Sequence, residues 1–434
     1  MAWKTASQFL QRLEKPAVAV GWHRARQLAN VPPAIAPMEL ENPEVELIAA
    51  QDREIAHRTR GLFFVSLACG AVGFAMALQM GLNPNFLADI LKLSGQQVGL
   101  LEAARETCGI FALLLLALLA GLGEPLVGVV VLVVFALGLG GYGLVPPAFS
   151  WVLLLSLVWS QGLHIWMPLP NSMTLALAEP GRSGRRLGQV QAAAAAGFGL
   201  GLVTALVLNR CHVPIQPMYI VAGLAGLLGA GACLGIPRAI KTPGPRFVIR
   251  RKYALYYLLC FLEGWRKQVA IAFAGFLLVK QFGASLEVML LLQLVVQVIS
   301  YFASRPVGKL IDRIGERRVL TIYYLCLTLF FIGYATLRTR WALYGLFVLD
   351  NAIFVLGMAV TTYVGHIAPK EEHTPTLSMG VAMNHIAAVS MPLLGGVIWK
   401  VWGYEWTFAI GALAALLSVL LVRFVPAHPQ PAMA

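Results

Sequence analysis

Charge is scarce in this chain: Asp, Glu, Lys and Arg make up 12% of its 434 residues, against about a quarter in a typical soluble domain. That deficit excludes an ordinary water-soluble enzyme. Acids are scarcer than bases, 20 against 33. In a soluble protein that surplus would point to nucleic acid, but in an apolar chain the placement of cations matters more than their sum. No nucleic-acid partner is expected. The six cysteines, Cys69, Cys108, Cys211, Cys233, Cys260 and Cys326, include no CxxC pair and no Cys/His cluster of metal-site spacing. Free, buried thiols are expected, without a metal or a disulfide framework. Also missing are a glycine-rich loop ending in Lys-Ser/Thr, a nucleophile elbow, an HExxH zinc motif and an arginine-studded voltage sensor. No cofactor and no enzymatic activity are expected, so energy for any work comes from gradients. Residues 1–60 hold no apolar stretch pure enough for a cleavable signal, which keeps the N-terminus in the cytoplasm.

What the chain has instead is apolar length, with 59% hydrophobic residues. A membrane helix needs about 20 such residues to cross roughly 30 Å of hydrocarbon. Runs of that length fall near 61–91, 97–121, 125–145, 149–177, 187–209, 216–236, 253–280, 285–307, 318–337, 341–366, 377–400 and 404–424. The predicted fold class is therefore an all-α polytopic membrane protein with twelve transmembrane helices. The polar stretch 237–252, rich in Arg, Lys and Pro, divides them into six-helix bundles at 61–236 and 253–424, flanked by an extension over 1–60 and a tail over 425–434. Within the extension, Thr5–Leu13 and Pro43–His57 are weakly amphipathic, and Thr5–Leu13 fits a helix lying on the membrane surface as well as a solvated tail. Of the 33 Lys and Arg, 24 fall on the side shared by both termini, 6 on the other and 3 inside spans. By the positive-inside rule both termini are cytoplasmic and the membrane is the inner one.

Displacing the first half by 191 or 192 residues lays Glu102 and Glu106 on Gln293 and Gln297, Phe111 on Phe302, and Gly123-Glu124 on Gly315-Glu316. A shared offset of a whole six-span unit indicates a parallel duplication. Gly308-Lys309-Leu310-Ile311-Asp312-Arg313-Ile314-Gly315-Glu316-Arg317-Arg318 resembles the G-x-x-x-D-R-x-G-R-R signature loop of the major facilitator superfamily, here between spans eight and nine. The resemblance implies the two-bundle fold, and it implies that Gly308, Asp312, Arg313, Gly315, Arg317 and Arg318 form a gating latch. A loop serving topology alone would retain Arg317 and Arg318 but needs neither Asp312 nor Gly315. The first-half counterpart, Leu119 to Pro125, has lost the Asp and both basic residues. Closure of that half must be fastened differently.

Ionisable groups inside spans cost several kcal/mol each unless paired or wetted, so they mark function by default. Glu102, Arg105 and Glu106 share one face of span two, Glu263, Arg266 and Lys267 repeat that spacing in span seven, and Asp350 stands beside Asn351 in span ten. At about 1.5 Å of rise per residue, Glu106, Glu263 and Asp350 all lie roughly 15 Å from a membrane surface. The expectation is that they converge at the midplane, where transporters of this architecture bind substrate and coupling ions. Arg105, Arg266, Lys267 and Asn351 are candidates for binding an anionic substrate group. Glu102, Glu106, Glu263 and Asp350 are candidates for carrying a proton. His164 and His385 join them as relay groups in a more cytoplasmic tier, with Asn171, Gln189, Gln191 and Asn384 nearby. An ion-pair network bracing the bundles, and histidines bonding between helices, would use the same residues.

These features point to a secondary active transporter that moves a small organic solute, anionic or zwitterionic, by alternating access with proton coupling. A proton-driven exporter of hydrophobic or cationic compounds is the nearest rival, and a non-transporting membrane sensor or assembly factor of the same fold is a third reading. The partners expected are a small-molecule substrate, a coupling proton or other ion, and the lipid bilayer.

Overall fold

A computed structural model describes residues 43–119, 122–179, 182–240 and 250–426. Thr5–Leu13 lies outside them. The chain divides into two compact units, Met1–Ile55 and Ala56–Ala434. The helix Pro43–Asn85 crosses that boundary, and every contact below lies within the second unit.

Each apolar run is a helix, and each interruption falls at a residue that ends one. In chain order the helices are α1 (Pro43–Asn85, extended by a π-helical turn, Phe86–Ile90), α2 (Gly95–Leu118), α3 (Glu124–Gly141), α4 (Phe149–Trp166), α5 (Leu169–Leu177), α6 (Ser183–Arg210) and α7 (Ile215–Cys233). The second half continues with α8 (Ala254–Gln268), a π-helical turn (Val269–Ala274), α9 (Gly275–Lys280), α10 (Leu286–Ile314), α11 (Glu316–Thr336), α12 (Arg340–Ile353), α13 (Met358–Ile367), α14 (Lys370–Trp402) and α15 (Tyr404–Val422). Pro168 separates α4 from α5, as expected of a ring that removes a donor and crowds the preceding turn. Pro392 leaves α14 unbroken. Ser94 and Gln97 form a capping box for α2, with Gln97 N–H donating to Ser94 Oγ at 3.3 Å and Ser94 N–H to Gln97 Oε1 at 3.0 Å.

Among the described residues ten helices are long and apolar enough to cross a membrane. The two further expected spans are α2 and the α8–α9 pair. Each carries three charged side chains in mid-helix, Glu102, Arg105 and Glu106 in one and Glu263, Arg266 and Lys267 in the other. The chain is a multi-pass membrane protein. The six cysteines are free, four of them buried, while Cys211 is exposed because it lies just past the end of α6. Cys326 is half-buried, so two of the six thiols depart from the expected burial.

The first bundle packs α3 against α4 and α7 and α2 against α4, and the second packs α11 against α15 and α8 against α14. Close approach rests on small residues: a Cβ on Gly197 would stand 1.9 Å from the Gly70 carbonyl oxygen. The bundles touch each other through α2 with α14, α6 with α10, and the end of α1 with α9. These contacts gather at the end opposite the 237–252 segment. There Asn85 donates to the Ala284 carbonyl at 3.1 Å, Arg210 pairs with Glu287 at 2.9 Å, and Gly95 lies under Trp399. From Gly95 to Gly109 the α2–α14 seam runs about 21 Å, roughly the far half of the bundle. Toward the other end Asn171, Gln189 and Gln191 are exposed.

The duplication is visible in these seams. Glu106 of α2 meets His385 of α14, and its displaced counterpart Gln297 of α10 donates to the Ala195 carbonyl of α6 at 3.4 Å. Glu124 and Glu316, also counterparts, are each the buried first residue of a helix, where the N-terminal dipole favours a carboxylate. Glu124 accepts from Ser172 Oγ at 2.7 Å, and its amide donates to the Ile240 carbonyl at 2.9 Å. Where the signature residues are missing, Glu124 thus ties the start of α3 to α5 and to the backbone at Ile240.

Two outcomes follow for the helix joints. A Cβ on Gly99 would meet the Pro392 carbonyl oxygen at 2.1 Å and Gly396 Cα at 3.0 Å, both backbone atoms that cannot yield. Gly99→Leu is expected to part α2 from α14, and spin labels at the exposed positions Gln97 and Val401 should report a longer distance than in the unsubstituted chain. Between α5 and α6, hydrogen bonds from Arg186 hold the Glu179 carboxyl down at about 2, below its ordinary 4.5. A lowered carboxyl contributes stability that is complete above pH 4.5 and fades as pH falls toward 2. Amide exchange over 182–187 should quicken through that window, and in Glu179→Gln it should be fast and flat across it.

Candidate functional site

The face of α2 that carries Glu102, Arg105 and Glu106 turns toward α4 and α14. Arg105 pairs with both oxygens of Glu102, donating to Oε1 at 3.2 Å, and its Nη2 lies 3.8 Å from Glu106 Oε1. Its guanidinium carbon stands 5.3 Å from the Trp159 ring, a cation–π contact. Trp159 in turn donates to Tyr142 Oη at 3.2 Å, and Tyr142 is bonded to Ser156. Ser160 Oγ donates to the Arg105 carbonyl at 3.0 Å, docking α4 on α2.

His385 reaches this cluster from the other bundle, with Nδ1 3.3 Å from Glu106 Oε2 and its ring centroid 5.2 Å from that of His164. His164 Nδ1 donates to the Ser160 carbonyl at 2.8 Å. One ligating atom each from Glu106, His164 and His385 fall within 4.8 Å of one another. The histidines therefore do not form the separate tier expected of them. Depth counted along each span is blind to tilt, and α4 and α14 bring both rings level with Glu106.

A second cluster lies wholly within the second bundle. Arg266 pairs with Glu263, donates to Ser418 Oγ at 2.9 Å, and sits 4.2 Å from the Tyr324 ring centroid and 5.5 Å from that of Tyr323. Tyr323 Oη donates to Glu263 Oε1 at 3.1 Å. Only 1% of Arg266 is exposed, so it is closed to a solute here, against the expectation that it receives an anion. The i, i+3, i+4 spacing fixes which residues share a face but not what the face meets. On α8 it meets α11 and α15.

Asp350 forms a third, smaller site, buried with its Oδ2 3.5 Å from Tyr334 Oη. Among the described residues no cation stands within ion-pair reach of it. Asn351 is half-buried and donates to the Phe347 carbonyl of its own helix at 2.8 Å. Lys267, half-buried, holds its ammonium 5.8 Å from the Phe354 ring centroid. The expected meeting of all these charges at one centre is thus replaced by separate groups. α14 lies between the first two: Asn384 donates to the Cys260 carbonyl of α8 at 3.4 Å while His385, the next residue, faces α2.

Of the expected latch, Gly315 takes φ 79° and breaks the chain between α10 and α11, a conformation only glycine adopts without strain. Arg313 and Arg318 are exposed and Arg317 half-buried. The surroundings of Gly308 and of the Asp312 side chain lie outside the described set. Residues that sequence reasoning passed over are Trp159, Ser160, Tyr323, Tyr324 and Ser418, because an aromatic or hydroxyl side chain in a span looks like packing until its charged partner is placed.

Residues 253–433 match the family model of the Major Facilitator Superfamily. An uncharacterized MFS-type transporter of Methanocaldococcus jannaschii is 28% identical over 123 residues, which span 28% of this chain and 31% of that protein. The chain thus matches less than a third of that relative's length. Among solved structures, the nucleoside transporter NupG aligns with TM-score 0.68 and 14% identity over 83% of this chain and 98% of its own. A bacterial homolog of the human lysosomal transporter Spinster, inward-facing and occupied, gives 0.67 and 13% over 85% and 97%. A D-xylose-proton symporter gives 0.66 and 14% over 86% and 100%. The sequence match to the family model is confined to the second half, while the likeness in fold extends over 83% to 86% of the chain.

If Arg266 is held by its own bundle, removing it strands Glu263. Arg266→Met is expected to lower stability by about 3–5 kcal/mol, and pairing it with Glu263→Gln should restore most of the loss. Denaturant unfolding in detergent checks both; a single variant as stable as the parent would show that the pair braces nothing.

Proposed function

We propose that this chain, major facilitator in fold and in its second-half sequence, is a secondary active transporter that moves a small organic solute across the inner membrane by alternating access. The observation that carries this reading is the one-sided seam. Asn85 with Ala284, Arg210 with Glu287 and Gly95 with Trp399 join the bundles at the far end, while polar Asn171, Gln189 and Gln191 are exposed toward the 237–252 end. Two rigid bundles closed at one end are half of an alternating-access cycle, and rocking them about that seam supplies the other half. The basic surplus at the 237–252 end supports a cytoplasmic placement of that end and of both termini.

Within this reading the charged groups divide their work by pairing. Glu102 is neutralised by Arg105 and Glu263 by Arg266, so both pairs brace the helices. Lys267, which has no carboxylate beside it among the described residues, is the group for an anionic or zwitterionic solute, with Asn351 one turn from its Phe354 partner. Asp350 is the coupling acid. A buried carboxylate without a cation costs several kcal/mol, a cost that a proton or access to water relieves. Its proton occupancy therefore changes with which end of the bundle is open, and that is the requirement for coupling. Gly315 and its arginines act as the latch for the second bundle, and Glu124 with Ser172 for the first.

Proteoliposomes with an imposed pH gradient, screened against pooled carboxylate and amino-acid solutes, test the reading. Gradient-driven accumulation is expected, with Lys267→Ala raising KM at least about tenfold, the loss of one charge-assisted contact of about 1.5 kcal/mol or more. Asp350→Asn should abolish accumulation while leaving solute exchange. Absence of flux for every solute under either gradient would overturn it.

A further inference from the structure

The cluster of Glu106, His164 and His385 has a chemistry that solute transport does not require. Its three side chains come from three helices, α2, α4 and α14, and bring one carboxylate and two imidazoles together, the donor set that suits zinc-class divalent ions and leaves a fourth position open. Their ligating atoms lie within 4.8 Å of one another, and the Glu106 Oε2 to His385 Nδ1 distance is 3.3 Å. Two ligands at 2.0–2.2 Å from a tetrahedral ion stand about 3.4 Å apart, so small side-chain movements complete the geometry.

Three surrounding features fit a cation. The Ser160 carbonyl can only accept, so His164 Nδ1 carries the hydrogen and, in the neutral ring, Nε2 keeps its lone pair. An imidazole that ligates a metal through one nitrogen characteristically donates from the other to such a carbonyl. The charge balance is the second feature. Glu102 and Glu106 face one permanent cation, Arg105, which is bound to Glu102 and approaches Glu106 only at Oε1, 3.8 Å away. Oε2 is left to the histidines, and one negative charge is left to be answered. Third, α2 makes room for the cluster with a glycine: a Cβ on Gly109 would stand 2.4 Å from His385 Nδ1.

We propose that Glu106, His164 and His385 bind a divalent transition-metal ion of the zinc class, which clamps the first bundle to α14 of the second. Because His385 comes from the opposite bundle, the complete ligand set exists only while the far end is closed. The ion therefore stabilises that state.

Chelator-treated protein in detergent, titrated with Co2+ and read by visible ligand-field absorption, tests the assignment. One saturable site with the intense bands of four-coordinate cobalt is expected, displaced by Zn2+. His164→Asn, His385→Asn and Glu106→Gln should each weaken binding by more than about 100-fold, beyond what losing an outer hydrogen-bond partner of a ligand costs. Gly109→Ala should weaken it too, with the ligands intact, while His212→Asn at the exposed end of α6 should leave it unchanged. Added Zn2+ should also shorten the Gln97–Val401 label distance distribution toward its closed value. Weak six-coordinate absorption only, or tight binding that survives His164→Asn together with His385→Asn in protein that still melts cooperatively, would overturn the site. Binding is read at equilibrium without solute, so its failure leaves the transport reading standing, and failure of transport leaves the site standing.

Discussion

Charge inside an apolar slab has to be answered, and the interior of this protein is organised around that requirement. Glu102 and Arg105, and Glu263 and Arg266, answer each other one helical turn apart, so each pair is made within a single helix. The aromatic and hydroxyl groups of neighbouring helices then complete the shells: Trp159 over Arg105, and Tyr323, Tyr324 and Ser418 around Arg266. Helix packing in lipid has little hydrophobic drive of its own. These polar shells therefore fix which faces of α2 and α8 point inward, and the glycine-lined seams set how close the backbones come. Glu106, Lys267 and Asp350 are not fully neutralised by a neighbour on their own helix.

Much of the architecture could be read from the chain, because the signal was one of length. Apolar runs interrupted by Gly, Pro and charge located the helices to within a few residues, with larger differences at the starts of α1 and α14 and at the end of α10. The repeat offset laid Glu106 on Gln297 and Glu124 on Glu316; Glu106 and Gln297 both lie in contacts between the bundles, and Glu124 and Glu316 each begin a helix. The charged residues themselves were found by their cost in a membrane. Their partners were not. Spacing of i, i+3 and i+4 states that Glu263, Arg266 and Lys267 are neighbours, but only packing decides that Arg266 turns into its own bundle. Counting residues from a membrane surface placed His164 and His385 too far from Glu106, because the count assumes upright helices.

The two halves keep one architecture with unequal means. The second retains Gly315 at the break between α10 and α11 together with the basic residues after it, and it alone matches the family model. In the first, Glu124 does comparable work through Ser172 and the backbone of Ile240, with Gly123 lying close enough to the Arg238 carbonyl that a Cβ there would stand 2.7 Å from it. A carboxylate at a helix start, bonded to a hydroxyl on a neighbouring helix, can hold a turn without any arginine.

The placing of Asn384 and His385 on α14 gives that helix two allegiances. Asn384 is bonded to α8 in its own bundle, and the adjacent His385 is lodged against α2 of the other. Its backbone is packed on both sides, against α2 at Gly99 and Gly396 and against α8 at Gly264, so no movement of α14 can loosen one seam without loading the other.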